Sequence, residues 1–475
     1  MATTPDVESA VSVTAEVREG EYGAKVNAVE PGGAEYIPLN DRHGRPLDLF
    51  WTWLSPNLEF ATVFIGVLAV AAFGQSLPAA IAAIVLGTAL GSVTQAILSA
   101  RGPSFGVPQM IMSRIPFGFR GNVLPAGLNA VVAGIGWFAV NSVSGALALT
   151  TLTHMSKGLS LVIIVLVQIA VAFFGHNLVH VFERLAFPFL AVVFVIASAA
   201  VLGKAHFSAP AGDGIPTFAA FLIEVGAAFG YAAGWNPYAS DYTRYLKPTV
   251  SGKAVALYAG LGIFLSCAAL EIVGAASVTA VVTPSDNPTA DFTGIMPHWI
   301  ADLTLLAIAL GAVSANVLNI YSGAMSFLAM GFKLPLALRR AIVALVFGAL
   351  GLLVAFTGLH DAGAKYENFL LVIAYWIAPW LGVVFMDRWL RRGTRIGEVV
   401  ADSEHQRSVE QVGVIAMIVG MVVSIWLFAN QSDFVGVLAK HHPGLGDLTF
   451  EVGFLIAAVL YWGLFKLSRT RPLTL

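Results

Sequence analysis

Three groups of side chains in this sequence have types and spacings suited to holding a flat polar molecule. The first is Gly234-Trp235-Asn236-Pro237, set in a long apolar run and followed by Tyr238, Asp241, Tyr242, Arg244 and Tyr245. Gly234 adds backbone freedom and Pro237 removes an amide donor, which frees carbonyls that lipid cannot satisfy. Such a break is tolerated where it lines a cavity, and an indole beside it suits stacking on a planar uncharged ring. A proline kink that only packs helices is the competing reading. The second group is Trp137 and Asn141, four apart and so on one helical face. Trp137 offers a ring face, with Trp235 at the other face or edge, each stack contributing about 1 kcal/mol or more. Asn141 supplies the donor and acceptor that complement an amidine or lactam edge. A lone membrane asparagine also bonds neighbouring helices, contributing about 0.6 kcal/mol on average. The third group is Ser314, Asn316 and Asn319. Its two amides nearly share a face and would reject analogues lacking the matching edge, because buried amides would be left unpaired. A polar seam between helices is the alternative there.

Charged residues inside apolar runs form a second set. Glu59, Glu224 and Glu271 fall where an ionised carboxylate costs several kcal/mol unless paired or hydrated, so they are candidate proton carriers, or partners of the backbone. Asp241 and Arg244 are three apart at the end of the sixth run and make a candidate gate, bridging within the helix or to another span. An interfacial anchor shared with Tyr242 and Tyr245 is the other reading.

The elements that position these residues follow from composition. The chain has 475 residues, 57% hydrophobic and 11% charged, with mean hydropathy +0.79, which makes it an all-α polytopic membrane protein rather than a soluble globule. A net charge of -2 gives no reason to expect nucleic acid, and one cysteine, Cys267, excludes an internal disulfide. At about 20 residues per crossing, the apolar runs predict twelve spans. They lie near 51–74, 79–100, 122–152, 158–175, 185–203, 217–240, 254–282, 297–330, 337–357, 366–388, 411–429 and 449–467. Residues 1–48 read as a soluble tail without a signal peptide, 49–390 as the core, 391–410 as a loop, 411–468 as two further spans and 469–475 as the terminus.

With both termini in the cytoplasm, 22 of the 26 lysines and arginines fall inside; Lys157, Lys204, Lys365 and Lys440 fall outside. This even, inward-anchored topology suits a plasma or inner membrane. The first span carries its own interruption, Trp53-Leu54-Ser55-Pro56-Asn57, which makes Ser55 and Asn57 candidate substrate contacts. Two breaks five spans apart and opposed in direction predict an inverted repeat of five plus five spans, with the site between the broken helices.

Gly102-Pro103, Gly106-Val107-Pro108-Gln109-Met110, Ser113-Arg114 and Phe117-Gly118, with the run from Gly234 to Leu246, resemble the nucleobase:cation symporter-1 family, nearest its purine and cytosine permeases. The resemblance covers about residues 45–470. It implies a leucine-transporter-like fold, a site near the membrane midplane, and coupling to a proton or sodium ion. Trp137, Asn141 and Asn319 match family positions that meet substrate. Family substrates include nucleobases, allantoin, hydantoins and certain vitamins. The resemblance also implies that spans one, two, six and seven rock against three, four, eight and nine. Where sodium-coupled members carry two adjacent hydroxyls in the eighth span, this chain has Val313-Ser314. One hydroxyl is missing, which shifts the expectation toward a proton, with sodium through Ser314 left open.

Other chemistries are poorly supported. The ten histidines are scattered, no Gly-Lys-Ser phosphate loop occurs, and no nucleophile has a base on its face, so neither an enzyme, a cofactor nor ATP drive is expected. An amino-acid transporter on the same fold and a passive channel remain as alternatives to a cation-coupled importer of a purine or cytosine.

Overall fold

The computed structural model describes residues 34, 36–174, 176–208, 212, 215–281, 285–332, 343–392 and 409–468, with 172–174, 176–185 and 343–344 described by backbone alone. Most of the amino-terminal tail, the loop 393–408 and the terminus from 469 lie outside the described residues. Arg184 has no described side chain, and Lys333, Arg339 and Arg340 are not described.

In hydrocarbon every backbone amide must be satisfied within its own segment, so the apolar runs become helices. Among the described residues eight helices are long and apolar enough to cross a bilayer, nine when the bent first span is included. Three shorter apolar helices supply the fourth, fifth and ninth positions, consistent with the expected twelve. The spans are, in order, Asp48–Leu54 with Phe60–Ala71, Leu77–Ser99, Val123–Thr153, Lys157–Phe174, His176–Leu202, and Thr217–Ala233 with Ala239–Thr243. They continue as Gly252–Val278, His298–Ala329, Val343–Phe347 with Gly348–Gly358, Ala362–Leu390, Gln411–Phe428 and Thr449–Leu467.

The two expected breaks differ in kind. In the first span the helix tightens to a 3-10 turn at Ser55–Asn57, Leu58 and Glu59 leave helical torsions, and the halves meet at 60°. The sixth span departs from the expected discontinuity. Its α-helix stops at Ala233, but Gly234 and Trp235 keep right-handed torsions and Asn236–Tyr238 is a 3-10 turn. Pro237 sits in the first turn of that segment, where its missing amide has no intrahelical acceptor to lose. The third span holds a feature not anticipated, a π-helical segment at Val132–Trp137 that ends on the candidate stacking indole. Such bulges often mark functional sites.

Packing follows the inverted repeat. The first span lies on the seventh as the sixth lies on the second, and the third span crosses the eighth. Gly66 is required at the first of these crossings, since a Cβ there would stand 1.6 Å from the Glu271 carbonyl oxygen.

The two ends of the bundle have different characters. One end is basic and holds Arg101, Arg244, Arg388 and the short helices Gly102–Phe105, Gln109–Met112 and Arg114–Gly121. Residues 36–43, grouped by composition with the tail, pack onto this end. The Ile37 amide donates to the Gly106 carbonyl (2.9 Å) and the His43 amide to the Tyr245 carbonyl (2.7 Å). Arg42 is 2% exposed, lies over the Tyr36 ring, and donates through Nη1 to the Pro103 carbonyl (2.5 Å) and through Nε to the Ile37 carbonyl (2.9 Å). Burial lowers its pKa from the usual arginine value; Tyr36 raises it and the Arg244 charge lowers it further. The opposite end is tied by loop contacts such as Asn287 Nδ2 to Thr151 Oγ1 (2.8 Å) and Asn368 Nδ2 to Ser432 Oγ (2.6 Å).

Candidate functional site

The two broken spans meet through side chains at their interruptions. Asn57 closes the first-span turn by donating from Nδ2 to the Trp53 carbonyl (2.7 Å) and to Ser266 Oγ on the seventh span (3.1 Å). Its Oδ1 is left to accept from Trp235 Nε1 at 2.9 Å, so the two breaks are joined by one hydrogen bond. Trp235 is further held edge-on between Trp53 (5.9 Å) and Tyr238 (5.3 Å). Ser55 Oγ is buried at the same turn without a partner. Asn236 points away from the site, donating to Thr94 Oγ1 on the second span (2.7 Å).

Trp137 meets the sixth span at Gly234. Its Cζ2 lies 3.3 Å from where a Cβ at Gly234 would be, so that glycine lets the indole rest on the main chain. The indole is enclosed edge-on by Tyr231 (5.2 Å), Phe369 (5.1 Å) and Tyr366 (6.4 Å). Each of the two candidate indoles is packed by its own aromatic set.

One turn further along the third span, Asn141 donates from Nδ2 to Asn316 Oδ1 (3.0 Å). Asn316 donates in turn to the Phe138 carbonyl (2.9 Å), so its amide is spent between the third and eighth spans. Asn319 donates to Asn316 Oδ1 (3.5 Å) and accepts from Tyr238 OH (3.1 Å), which links the eighth span to the sixth. Asn141 Oδ1 and Ser314 Oγ are buried without partners. An unpartnered buried acceptor is costly in a native structure, and at Asn141 it presents one open position for a ligand N–H.

Toward the end opposite the basic one lies a cavity of about 110 Å³. Phe60 and Phe64 of the first span, Ala139 and Val143 of the third, and Tyr366 and Phe369 of the tenth line it. Phe369 belongs both to this wall and to the cover of Trp137, so a single aromatic layer separates vestibule from indole. On the basic side the barrier is polar. Asp241 Oδ1 accepts the Gln109 amide (2.9 Å), and Arg244 donates through Nη2 to Tyr321 OH (3.2 Å) and Tyr245 OH (3.1 Å).

The carboxylates are distributed. Glu59 opens the second half of the first span and lies 3.2 Å from Tyr231 OH. Glu271 accepts from Thr88 Oγ1 on the second span (2.7 Å). Glu224 is fully buried with neither oxygen partnered.

A family profile described as permeases for cytosine/purines, uracil, thiamine and allantoin matches residues 36–453. The chain belongs to this family. Among curated relatives, the permease is 29% identical over 448 residues to a putative purine-cytosine permease, YxlA, of Bacillus subtilis, covering 92% of this chain and 96% of that one. It is 28% identical over 453 residues to the purine-cytosine permease fcyB of Emericella nidulans, covering 91% and 87%. Among solved structures it superposes on Mhp1, a nucleobase-cation-symport-1 family transporter, in a closed conformation with bromovinylhydantoin bound. The TM-score is 0.70 at 21% identity, with 92% and 95% of the two chains covered. The inward-facing conformation of Mhp1 gives a TM-score of 0.71 at 20% identity, covering 96% and 95%. The expected fold and family are therefore borne out: this is an integral membrane transporter with a leucine-transporter-like fold, and its relatives are permeases, not enzymes.

Sequence reasoning had not assigned roles to Tyr231, Tyr238, Thr62, Tyr366 and Phe369. Tyr238 sits within the Gly234–Leu246 run, and Tyr366 and Phe369 are three apart, the spacing that puts two aromatics on one helical face. Tyr231 and Thr62 gave no signal, because their importance lies in contacts between spans.

Proposed function

We propose that the permease is a secondary active importer of a planar nucleobase-like heterocycle, a purine or cytosine, driven by a proton gradient. The observation that carries this reading is the convergence of Trp137, Asn141, Asn319 and the joined breaks at Asn57 and Trp235, beneath one aromatic layer of an apolar vestibule. The amides suit a neutral heterocycle edge, and Asn141 Oδ1, buried without a partner, offers an acceptor to a ligand N–H rather than a site for a carboxylate. The names of the bacterial and fungal relatives point the same way.

In this mechanism the permease lies in the plasma or inner membrane with its basic end cytoplasmic. A base enters from the vestibule, displaces Phe369 and settles against Trp137 and Trp235 with Asn141 and Asn319 at its edge. A proton on one of the buried carboxyls Glu59, Glu224 or Glu271 accompanies it. The polar ties of Asp241 and Arg244 then open toward the cytoplasm. Val313 in place of a second hydroxyl supports a proton over sodium. One observation favours the second reading: Ser314 Oγ is buried and unpartnered, one turn from Gly311, where the eighth span touches the Leu58 carbonyl at the first-span break.

Uptake of radiolabelled cytosine, adenine, hypoxanthine, uracil and allantoin into proteoliposomes, under proton and sodium gradients applied separately, tests both readings. Accumulation of cytosine or a purine on a proton gradient alone is expected, with loss in Trp235→Ala. A sodium requirement refutes the proton assignment, and no uptake of any planar base refutes the substrate class.

A further inference from the structure

Tyr231 has no part in the mechanism above, yet it touches both halves of it. It is 1% exposed, three residues before Gly234, with its ring edge-on to Trp137 at 83°. Its hydroxyl is 2.5 Å from Thr62 Oγ1 and 3.2 Å from Glu59 Oε1. Thr62 in turn donates to the Asn57 carbonyl at 2.7 Å, and Asn57 Oδ1 holds Trp235 Nε1.

Counting protons along this chain fixes its direction. The Asn57 carbonyl can only accept, so the single hydroxyl proton of Thr62 is committed to it. Thr62 Oγ1 must then accept from Tyr231, which spends the phenol's only proton. The contact with Glu59 Oε1 is a hydrogen bond only when the carboxyl itself brings a proton to it. Glu59 Oε2 is buried without a partner, so a proton there would be wasted and one on Oε1 is satisfied. With Glu59 ionised, the Tyr231 proton turns to the carboxylate, the phenol oxygen 2.5 Å from Thr62 Oγ1 draws the Thr62 proton to itself, and the Asn57 carbonyl loses its donor.

We propose that Tyr231 is the relay between proton and substrate. Neutral Glu59 completes a one-way chain of hydrogen bonds from Glu59 through Tyr231 and Thr62 to the Asn57 carbonyl, which holds the first-span break against the indoles. Loss of that proton reverses Tyr231 and releases the break. This rests on the proton-coupled reading of the site and singles out Glu59 among its three carboxyls. Glu271 is held by Thr88 on the second span, and Glu224 has no bond to either break.

Among the described residues the titratable groups facing Glu59 are few. They are Tyr231 on the sixth span, Cys267 on the seventh and Tyr366 on the tenth. The Tyr366 hydroxyl already donates to the Ala61 carbonyl at 2.9 Å. The eighth span meets Glu59 at Gly311, and among the described residues no cation pairs with the carboxyl. Tyr231 is therefore the group positioned to report its protonation.

The test uses the full-length permease in proteoliposomes with radiolabelled cytosine and adenine as probes. Binding is measured from pH 5.5 to 8.5, together with uptake on a pH gradient and exchange without one. For the wild type, Kd is expected to rise at least tenfold across that range, and uptake to follow the gradient. Tyr231→Phe, in which Thr62 keeps its bond to the Asn57 carbonyl at every pH, should flatten the pH dependence of Kd to under twofold and abolish accumulation. Glu59→Gln, whose amide can donate permanently to Tyr231, should bind independently of pH and exchange without accumulating. Adding Tyr231→Phe to it should leave that flat profile unchanged. Should Tyr231→Phe fail to fold, Thr62→Val removes the next donor and should flatten the same profile. Wild-type pH dependence and accumulation in Tyr231→Phe, or in Thr62→Val where that is the variant read, overturn the relay while leaving proton-driven import intact. A wild type that accumulates cytosine or adenine only with sodium, or that binds neither, overturns the proposed function and the relay with it.

Discussion

The tie between Asp241 and Gln109 lends itself to a direct test, because its donor is a backbone amide whose exchange with solvent can be timed. Asp241 Oδ1 accepts that amide at 2.9 Å, between the sixth span and the short helix Gln109–Met112, and both residues are buried. A hydrogen bond to a charged group contributes about 1.5–3 kcal/mol, against about 1 kcal/mol for a neutral one. Asp241→Ala removes the acceptor and should speed exchange of the Gln109 amide by roughly 10- to 150-fold, at about 1.4 kcal/mol per decade. Asp241→Asn keeps an acceptor and should fall between, roughly 2- to 30-fold above wild type. Hydrogen–deuterium exchange mass spectrometry of the peptide spanning 105–113 reads this rate. If the tie closes the basic end as a unit, the Ile37 amide, bonded to Gly106 nearby, should speed as well. Peptides from the opposite end, such as 217–226, should be unchanged. An exchange rate for 105–113 within twofold of wild type in Asp241→Ala would refute the gate reasoning. Acceleration confined to Gln109 would reduce the tie to local packing.

Three further outcomes follow from the same geometry. Trp235→Phe strands Asn57 Oδ1 and should cost about 1–3 kcal/mol, whereas Asn57→Leu should cost more, because it strands Trp235 Nε1 and also removes the donor to the Trp53 carbonyl and Ser266 Oγ, read as thermal shifts in detergent. Gly66→Ala drives a Cβ into the Glu271 carbonyl and should abolish folded protein on size-exclusion chromatography, while Gly363→Ala, with nothing within 4 Å of the new methyl, should elute as wild type. Arg42→Met removes the bonds to the Pro103 and Ile37 carbonyls and should release residues 36–42 to limited proteolysis without loss of the helical core, as judged by circular dichroism.

The spans were legible because hydrocarbon leaves the backbone little choice, and the helix bounds fall close to the apolar runs. The first-span break was legible for the same reason: Ser55-Pro56-Asn57 gives a turn that only a lined interior tolerates. The sixth-span break was overestimated. Pro237 does not break the helix there, because its position in the first turn of Asn236–Tyr238 leaves no intrahelical bond to lose. The π segment before Trp137 escaped notice because its two glycines, Gly134 and Gly136, read as ordinary membrane-helix composition. In the structure Phe347 and Phe369 occupy the space those glycines leave. Residues 36–43 read as tail because polar composition does not distinguish a solvated strand of chain from one held by backbone carbonyls. Most of the site's hydrogen bonds join residues more than 70 positions apart. A single sequence names the amides but not which of them are spent on each other, as Asn316 is on Phe138 and Asn141.

The two barriers around the candidate site are built from different forces, and this bears on which one yields first. At the vestibule end the cover of Trp137 is aromatic, and edge-on ring pairs contribute about 0.5–1.5 kcal/mol each beyond the area they bury. On the proposed reading, a planar ligand replaces those contacts as it displaces Phe369, which offsets part of the cost of opening there. At the basic end the ties are hydrogen bonds of charged groups, Asp241 to a backbone amide and Arg244 to two phenols, each contributing about 1.5–3 kcal/mol. A neutral ligand has no charge with which to replace them. On the proposed reading, the ligand alone would unlock the vestibule end but not the basic end, and opening the latter would require a change within the bundle, such as a shift of the first-span break relative to the sixth. That division is what a coupled carrier needs, since a substrate able to open both barriers by itself would leak down its own gradient.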